Sequence, residues 1–385
     1  MSRNGLFFVC VCALLTVTPN IVVAQRGGGP PPGTPMGPRP LDTITRPGSI
    51  QDAGTWGYWT FNMTEADRAG ALLLGKVAIE GETLPWVPIL VTVDCNDSTV
   101  YTTQSDSKGN FVVTPARIPG ELSQLQDMRR QMQTHYEGCV LEGFLTGFRS
   151  AKVAITERNL RDDPNVGTVM LSRDSNARGT AMSATSETAP ESAKKYWASA
   201  GQDMFAQKPE HAQKDLEKAV RAYPGFADAW YQLGLIQLQS SPRDAKACFD
   251  RAVAADPKFV LPFEQLTALA AQNGDWQAVL DNVSHFLELD PAGSMRVWYF
   301  SALANYQLGH LVSAEDSGKK LMAADPLHNI QNGEQLLAAI LARKADYNGA
   351  ISHLRNCLTY VPAGPDADML KQEIAQLERR VSAAK

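Results

Sequence analysis

The sequence lacks the motifs on which most enzyme families depend. No HExxH zinc motif, GxSxG nucleophile turn, P-loop or dinucleotide fingerprint occurs in the 385 residues. The six histidines are scattered, and Asp281 and His285 stand one helical turn apart. That pair is more typical of a surface contact than of a metal site. We therefore predict a protein that is not an enzyme and uses no cofactor or metal.

Basic charge is not in excess either. Lys and Arg together number 36 against 41 Asp and Glu, which gives a formal net charge of -5. Proteins that bind nucleic acid or anionic membranes usually carry a basic patch or a basic overall balance. The composition gives no case for either partner, and we expect no nucleic acid.

Long apolar runs are absent apart from residues 6–17, which are too few to span a bilayer. Arg3 precedes this run, and the small residue Ala24 ends the segment that follows it. This order is typical of a signal peptide over residues 1–24, with the mature chain starting at Gln25. The alternative is an uncleaved anchor helix. We expect an exported protein of the periplasm or envelope, with no transmembrane segment once the signal is removed.

Cysteine is scarce, with six in the chain, two of them inside the predicted signal peptide. No CxxC pair is present, so the sequence has no redox or zinc motif of that kind. In an oxidising compartment, a Cys95–Cys139 disulfide within one small domain is plausible. Cys248 and Cys357 fall on separate helical units, where we expect them to be small packing residues.

Residues 25–71 form a Pro/Gly-rich linker followed by an aromatic arm. Glycine and proline are too dense between 25 and 50 for a packed core, so this part is either a spacer or a simple terminus. The arm from Trp56 to Phe61 has four aromatic residues in six. It could be a ligand-stacking strip, or it could pack on the neighbouring domain.

Between residues 72 and 171 the apolar pattern alternates with a period of two, which predicts a small all-β sandwich. The predicted strands are 74–79, 89–94, 99–103, 111–114, 140–144, 151–155 and 166–171. A hairpin turn is predicted where Gly109 ends the sequence Asp-Ser-Lys-Gly. Residues 122–136 are polar and helix-prone, which indicates an inserted helix or loop.

Several short motifs in this region share a family pattern. They are Gly75-Lys76-Val77, Leu84-Pro85, Val91-Thr92-Val93, and Asp106 to Phe111 in a D-x-x-G-x-F hairpin. Together they resemble the carboxypeptidase regulatory-like domain, a transthyretin-like sandwich. The resemblance implies an accessory domain without catalytic residues. Residues 172–192, which are small and polar, are predicted to be a linker.

Five prolines recur at steps of 33, 34, 35 and 36 residues in the C-terminal half. They are Pro224, Pro257, Pro291, Pro326 and Pro362. A fixed period near 34 predicts stacked helical hairpins, in which no unit buries its apolar face alone. The units occupy residues 193–364, and an amphipathic helix over 365–385 is expected to cap the array.

The contents of these units resemble the tetratricopeptide repeat (TPR). The second unit is the clearest, with Trp230, Leu233 and Gly234 on its first helix, Ala245, Phe249 and Ala252 on its second, and Pro257 after it. The resemblance implies a multidomain protein of exported bacterial type, with a small all-β sandwich followed by an all-α solenoid. Such arrays are binding surfaces far more often than enzymes.

In this family the first helices of the repeats line a concave groove. The residues predicted to lie there are Lys194, Trp197, Met204, Asp228, Tyr231, Leu238, Glu264, Arg296, Tyr299, Tyr306, Asn332, Gln335 and Arg343. The alternative for some, Trp197 and Tyr306 especially, is packing against neighbours. The Lys/Asn clamp that some family members use for a C-terminal carboxylate is absent, since Trp197, Gly201 and Leu235 stand on the corresponding face.

We therefore expect an interaction or scaffold protein of the cell envelope that binds a polypeptide in this groove. The alternative is a carbohydrate- or cell-wall-binding protein that acts through the β-sandwich.

Overall fold

The structure is a computed structural model that describes residues 72–114, 136–330 and 332–383. The predicted signal peptide, the linker with its aromatic arm, and nearly all of the predicted insertion at 122–136 lie outside these residues. The fold class is the predicted one, because a β-rich domain is followed by an all-α solenoid.

Eight strands build the β domain in the described residues. They are β1 (Leu73–Ile79), β2 (Leu90–Cys95), β3 (Ser98–Gln104), β4 (Asn110–Val113), β5 (Val140–Leu145), β6 (Phe148–Ser150), β7 (Val153–Ala154) and β8 (Asn165–Arg173), with a short helix α1 (Glu157–Arg161) before β8. Their hydrogen-bonded order is β3-β2-β5-β6-β8-β1-β4, with β7 paired to β5. The pairing of β1 with β8 is parallel, and the other pairs are antiparallel.

One stretch of the β domain differs from the prediction. The predicted strand 151–155 contains only the two-residue β7, and β6 was not predicted. The reason is a two-residue turn between the paired residues Leu145 and Phe148, in which Gly147 has a φ of 79°. This turn reverses the chain earlier than the alternation indicated.

The alternating residues of the strands form the core of this domain. Val91, Leu141 and Val169 are fully buried. A Cβ on Gly143 in β5 would lie 3.0 Å from Leu171 Cδ1 in β8, so these two strands approach each other closely through the core. A Cys95–Cys139 disulfide, with Cα atoms 4.4 Å apart, joins the end of β2 to the residue before β5.

The solenoid consists of helix pairs stacked in chain order. After a short helix α2 (Ala184–Glu187), the pairs are α3 (Glu191–Phe205) with α4 (Pro209–Ala222), α5 (Ala227–Gln237) with α6 (Pro242–Ala255), α7 (Leu261–Gln272) with α8 (Trp276–Leu289), α9 (Met295–Gln307) with α10 (Leu311–Ala324), and α11 (Gly333–Arg343) with α12 (Tyr347–Tyr360); helix α13 (Pro365–Ala383) follows. Helix α13 buries its apolar face against the last pair, as expected of a cap.

The repeat signature has a local physical cause. The indole N–H of Trp230 donates to the carbonyl of Pro224 at 2.9 Å, and that of Trp298 donates to the carbonyl of Ala292 at 3.2 Å. Each bond ties the first helix of a unit to the turn six residues upstream. A cation from the second helix covers each ring, and these cations are Arg251 and Lys320. The same contacts in two units fix the same angle between turn and hairpin.

Small residues on the first helices allow the two helices of a hairpin to approach. A Cβ on Gly234 would lie 2.6 Å from Phe249 Cε1, so the Phe249 ring occupies the space that a side chain would need. Ala302 and Ala338 are fully or almost fully buried at the corresponding places in later units. Small residues at these three places therefore let the paired helices pack closely.

The segment predicted as a linker, residues 172–192, runs along the turns between repeats. Thr180 donates its N–H to Lys258 O and accepts from Val260 N, at 3.2 and 3.1 Å, and Gly179 N donates to Leu289 O at 3.1 Å. A Cβ on Gly179 would lie 2.5 Å from Lys258 O, so the small residues that suggested flexibility in fact allow close contact with backbone. The segment therefore holds the β domain against the solenoid.

Candidate interdomain binding groove

The β1–β2 connection, residues 82–88, covers the first helices of the first two repeats. The Trp86 ring stacks on the Trp197 ring, with centroids 3.7 Å apart and planes inclined by 12°. Gly201 makes room for this contact, since a Cβ there would lie 2.5 Å from Trp86 Cζ2. The β domain therefore forms a wall over the N-terminal part of the predicted concave face.

Beside this stack lies a cleft of about 580 Å³, which we call the first cleft. Residues 82–87 and β8 form one side, and α2, α3 and α5 form the other. The partly buried Trp86 and Trp197 line it, and the almost fully buried rings of Phe226, Tyr231 and Phe259 lie in its walls.

Asp228 stands at the polar end of the first cleft. Burial raises the pKa of its carboxyl to about 7, and the negative charge of Asp256 adds to the effect, while hydrogen bonds from the Ser186 side chain and the Ser183 backbone oppose it. Asp256 itself accepts from Ser183 Oγ at 2.6 Å and from Ala184 N at 3.1 Å. The start of α2 thus supplies donors to two carboxyls that lie close together.

A second cleft, of about 420 Å³, opens between the outer face of β2, β3 and β5 and the starts of α7 and α9. Leu90, Phe144 and Met295 contribute apolar surface to its walls. Its polar wall on the sheet is a hydrogen-bonded set in which Asp94 accepts from Thr92 at 2.8 Å and from Thr99 at 2.5 Å.

The helical wall of the second cleft holds an ion pair between repeats. Arg296 Nη1 lies 2.8 Å from Glu264 Oε1, and Ser294 Oγ donates to the other carboxylate oxygen of Glu264 at 2.9 Å. Both charged side chains are nearly buried, with 11% and 10% exposed. This contact fixes the wall of the cleft by joining α7 to α9.

The two clefts share Val87, Tyr231 and Leu261 in their walls. They therefore adjoin at these residues under the β domain, and we call the two clefts together the interdomain groove. One wall comes from the sheet domain and the other from the first three repeats and the start of the fourth.

Some of the residues predicted for the concave face line the interdomain groove. They are Lys194, Trp197, Asp228, Tyr231 and Glu264. Arg296 lies behind it, held by Glu264. Met204 is buried and Leu238 is partly buried, and both pack in the apolar core.

The remaining predicted residues lie on the later repeats, away from the groove. Tyr306 is buried, and Arg343 covers its ring at 5.0 Å while donating to its carbonyl oxygen at 2.9 Å. Tyr299 is partly buried, which raises the pKa of its hydroxyl. Gln335 is partly buried, and Asn332 is exposed just before α11.

Two features of the groove were not predicted as site residues. One is Trp86, which belongs to the β domain. The other is Asp256, which precedes Pro257, and in the sequence that proline marks only the end of a repeat. The glycine at position 201, inside a helix and on the groove face, was the one available sign that something large packs there.

A separate polar cluster surrounds Glu334 in the last repeat. This buried carboxylate contacts His353 Nδ1, lies 3.6 Å from His328 Nδ1, and accepts from Asn356 at 3.5 Å. The histidine contacts hold the pKa of Glu334 below its usual value although burial raises it. In the part of the chain that the structure describes, no group of His, Cys, Asp or Glu is arranged to hold a metal ion.

No helix within the described ranges combines the length and the apolar character that crossing a membrane requires.

These features define the class of architecture: a β-rich domain docked on a tetratricopeptide-type solenoid, with a groove between them. No family model matches the chain, and no curated protein sequence matches it.

The solenoid is similar to several solved structures. MamA from Desulfovibrio magneticus RS-1 is 20% identical, with a TM-score of 0.40 over 44% of this chain and 96% of that one. YrrB, described as a TPR protein with an unusual peptide-binding site, is 18% identical, with a TM-score of 0.41 over 49% and 97%. A tetratricopeptide repeat protein from Parabacteroides merdae ATCC 43184 is 17% identical, with a TM-score of 0.41 over 50% and 75%. The fold assignment of the helical half rests on its own stacked pairs and repeated Trp–turn contacts.

Proposed function

We propose that this chain is a non-enzymatic interaction or scaffold protein that binds an extended polypeptide in the interdomain groove. The observation that carries the proposal is that two clefts adjoin at Val87, Tyr231 and Leu261 between the β domain and the repeats. Two adjoining clefts suit a chain segment better than a compact ligand, because successive residues of an extended backbone can occupy one cleft and then the next.

The chemistry of the walls supports the same occupant. Each cleft has a volume in the range of roughly 300–1,000 Å³ that is usual for binding sites. Apolar side chains such as Leu90 and Phe144 lie beside hydroxyl groups such as that of Thr102. Apolar surface can receive partner side chains, and the polar groups can satisfy a partner backbone.

Export to the periplasm or envelope is part of the proposal. The Cys95–Cys139 disulfide supports it, because such bonds persist in oxidising compartments. The motifs that resemble a carboxypeptidase regulatory-like domain fit this proposal, since the sheet here has the accessory role of supplying a wall.

The alternative is carbohydrate or cell-wall binding through the β domain. It would use the outer sheet face, where Thr92, Asp94 and Thr99 form their hydrogen-bonded set beside Phe144. The same cleft would then hold sugar hydroxyls instead of a peptide.

The test is selection of binders from a displayed library of random linear peptides with the mature chain as bait. Selected peptides are then titrated by calorimetry against the wild-type chain, the Leu90→Lys variant and the Met170→Lys variant. Leu90 lines the second cleft, whereas Met170 is 48% exposed on β8 and lines neither cleft. We expect Leu90→Lys to weaken binding at least about tenfold, since a contact at the centre of an interface is worth roughly 1.5–3 kcal/mol.

The matched Met170→Lys variant should bind like the wild-type chain. Equal binding by both variants, or a failure to select any peptide, would contradict the proposal. Retention of soluble glycans or cell-wall fragments that Leu90→Lys abolishes would favour the alternative instead.

A further inference from the structure

The charges that line the first cleft do not cancel. Arg173 Nε lies 3.4 Å from Glu82 Oε1, and Lys194 Nζ lies 3.7 Å from the neighbouring Glu191. Both basic side chains of the cleft walls thus have an acidic partner already. Among the described residues, no basic side chain forms an ion pair with Asp228.

Asp228 is costly to ionise as it stands. Its carboxyl is taken out of water by the walls of the cleft and lies within electrostatic range of Asp256. A second negative charge nearby and the loss of hydration both disfavour the carboxylate. A cation that entered the cleft would restore a favourable interaction, while an anion would meet two carboxyls.

The rest of the first cleft suits the body of a long basic side chain. Its accessible walls are apolar, with the partly buried Leu84, Met182 and Leu261 near the Trp86–Trp197 stack. Lys and Arg bury their aliphatic stems along apolar surface while the charged head reaches a polar group. Cations are also attracted to the faces of aromatic rings. A neutral apolar side chain would fill the same space but leave Asp228 without a cationic partner.

We infer that the first cleft is a recognition site for a basic residue, Lys or Arg, of the bound polypeptide, with Asp228 as the group that receives its charge. This inference rests on the proposed function, because it identifies the kind of partner residue that the groove selects. Such a site also fixes the register of the polypeptide in the groove, because its basic residue must lie over α5.

The test uses a small probe that does not depend on any selected peptide. The probe is Nα-acetyl-lysine N-methylamide, whose side-chain amine is free and charged. It is titrated into the mature chain, with tryptophan fluorescence from Trp86 and Trp197 or NMR shifts as the readout. Acetyl-norleucine methylamide, which has an apolar side chain of similar length and no charge, is the matched probe. We expect the lysine probe to bind at least about tenfold more tightly, as for a charge-assisted hydrogen bond in a partly buried site.

The variant Asp228→Asn should remove this preference for the lysine probe. Asp281→Asn is the matched control, because Asp281 is an exposed carboxyl on α8 outside both clefts. Equal binding of the two probes by the wild-type chain would overturn the inference. So would an unchanged preference in Asp228→Asn.

A pH titration of the wild-type chain tests the same point without a substitution. Cation binding favours the ionised carboxyl, so the affinity of the lysine probe should fall as pH drops through the Asp228 pKa of about 7, by about tenfold per pH unit well below it. The other charged groups that face this region are Asp256, Glu187, Lys194, Glu82 and Arg173; no histidine among the described residues lines the cleft. An affinity that does not change over this range would also overturn the inference.

The two proposals fail in different ways. If selected peptides bind and respond to Leu90→Lys but show no preference for Lys or Arg, the basic-residue site is wrong and the polypeptide groove stands. If the lysine probe binds as expected but no peptide is selected, the polypeptide groove is wrong and the cation site remains.

Discussion

Docking of the β domain should depend on the absence of a Cβ at position 201, which is glycine. Gly201 lies in the interior of α3, where alanine would ordinarily favour the helix by roughly 0.5–1 kcal/mol. In this structure the space for a Cβ is taken, because the nearest ring atom of Trp86 would be 2.5 Å away. Helix propensity and domain docking therefore act on this position in opposite directions.

The sign of the Gly201→Ala effect should reverse when Trp86 is removed. With Trp86 present, a methyl group forced against the ring costs roughly 1–3 kcal/mol, which exceeds the gain in propensity, so the variant should be less stable than the wild-type chain. In a Trp86→Ala background the space is open, and Gly201→Ala should stabilise the protein by about 0.5–1 kcal/mol. The propensity gain is common to both backgrounds, so the coupling between the two positions should equal the steric cost of roughly 1–3 kcal/mol.

The measurement is urea unfolding of the four proteins in this cycle, followed by circular dichroism, with the midpoints and slopes compared. Intrinsic tryptophan fluorescence reports on the Trp86–Trp197 stack in the same samples. An effect of Gly201→Ala with the same sign and size in both backgrounds would refute the reasoning, since it would show that Trp86 does not occupy this space.

Two further predictions concern the β domain. Cys95→Ser should lower the free energy of unfolding by about 4 kcal/mol, because the lost disulfide joins residues 44 apart. Unfolding of the oxidised wild type, the reduced wild type and the variant measures this loss. A reduced wild type as stable as the oxidised one would contradict the prediction. Gly147→Ala should lower the free energy of unfolding by roughly 2–4 kcal/mol, since φ is 79° and a Cβ would lie 2.4 Å from Gly179 O. The control Gly167→Ala, with φ 81° and open space, should lower it by only about 1–2 kcal/mol. Equal losses for the two variants in denaturant unfolding would count against the contact with Gly179.

The sequence was sufficient to predict the fold class because its signals are local and repeated. The proline period and the Trp230 and Trp298 positions mark hairpins whose contacts lie within one unit and its preceding turn. Strand alternation in the β domain is local in the same way. The exception at β6 came from a turn, where Gly147 rather than the alternation decides where the chain reverses.

The candidate site was less predictable because its contacts are far apart in sequence. Trp197 lies on the first helix of its unit, but whether its surface is open depends on Trp86, more than a hundred residues earlier. Tyr306 and Arg343 likewise fall on the first helices, yet they pack on each other. Helical periodicity identifies the face of the helix on which a side chain lies, but it does not identify what covers that face.

A groove with walls from two domains couples partner binding to domain docking. The sheet face, the Trp86 stack and the hydrogen bonds of Thr180 must all be in place before the second wall exists. A polypeptide that contacts both walls binds only the docked arrangement, so it must stabilise docking by as much as docking favours its binding. The ordered segment at 172–192 reduces the cost of this arrangement, because a flexible linker would have to be ordered on binding. The β domain is then part of the recognition surface, and a solenoid without it would present Trp197 and Asp228 on an open face with different binding properties.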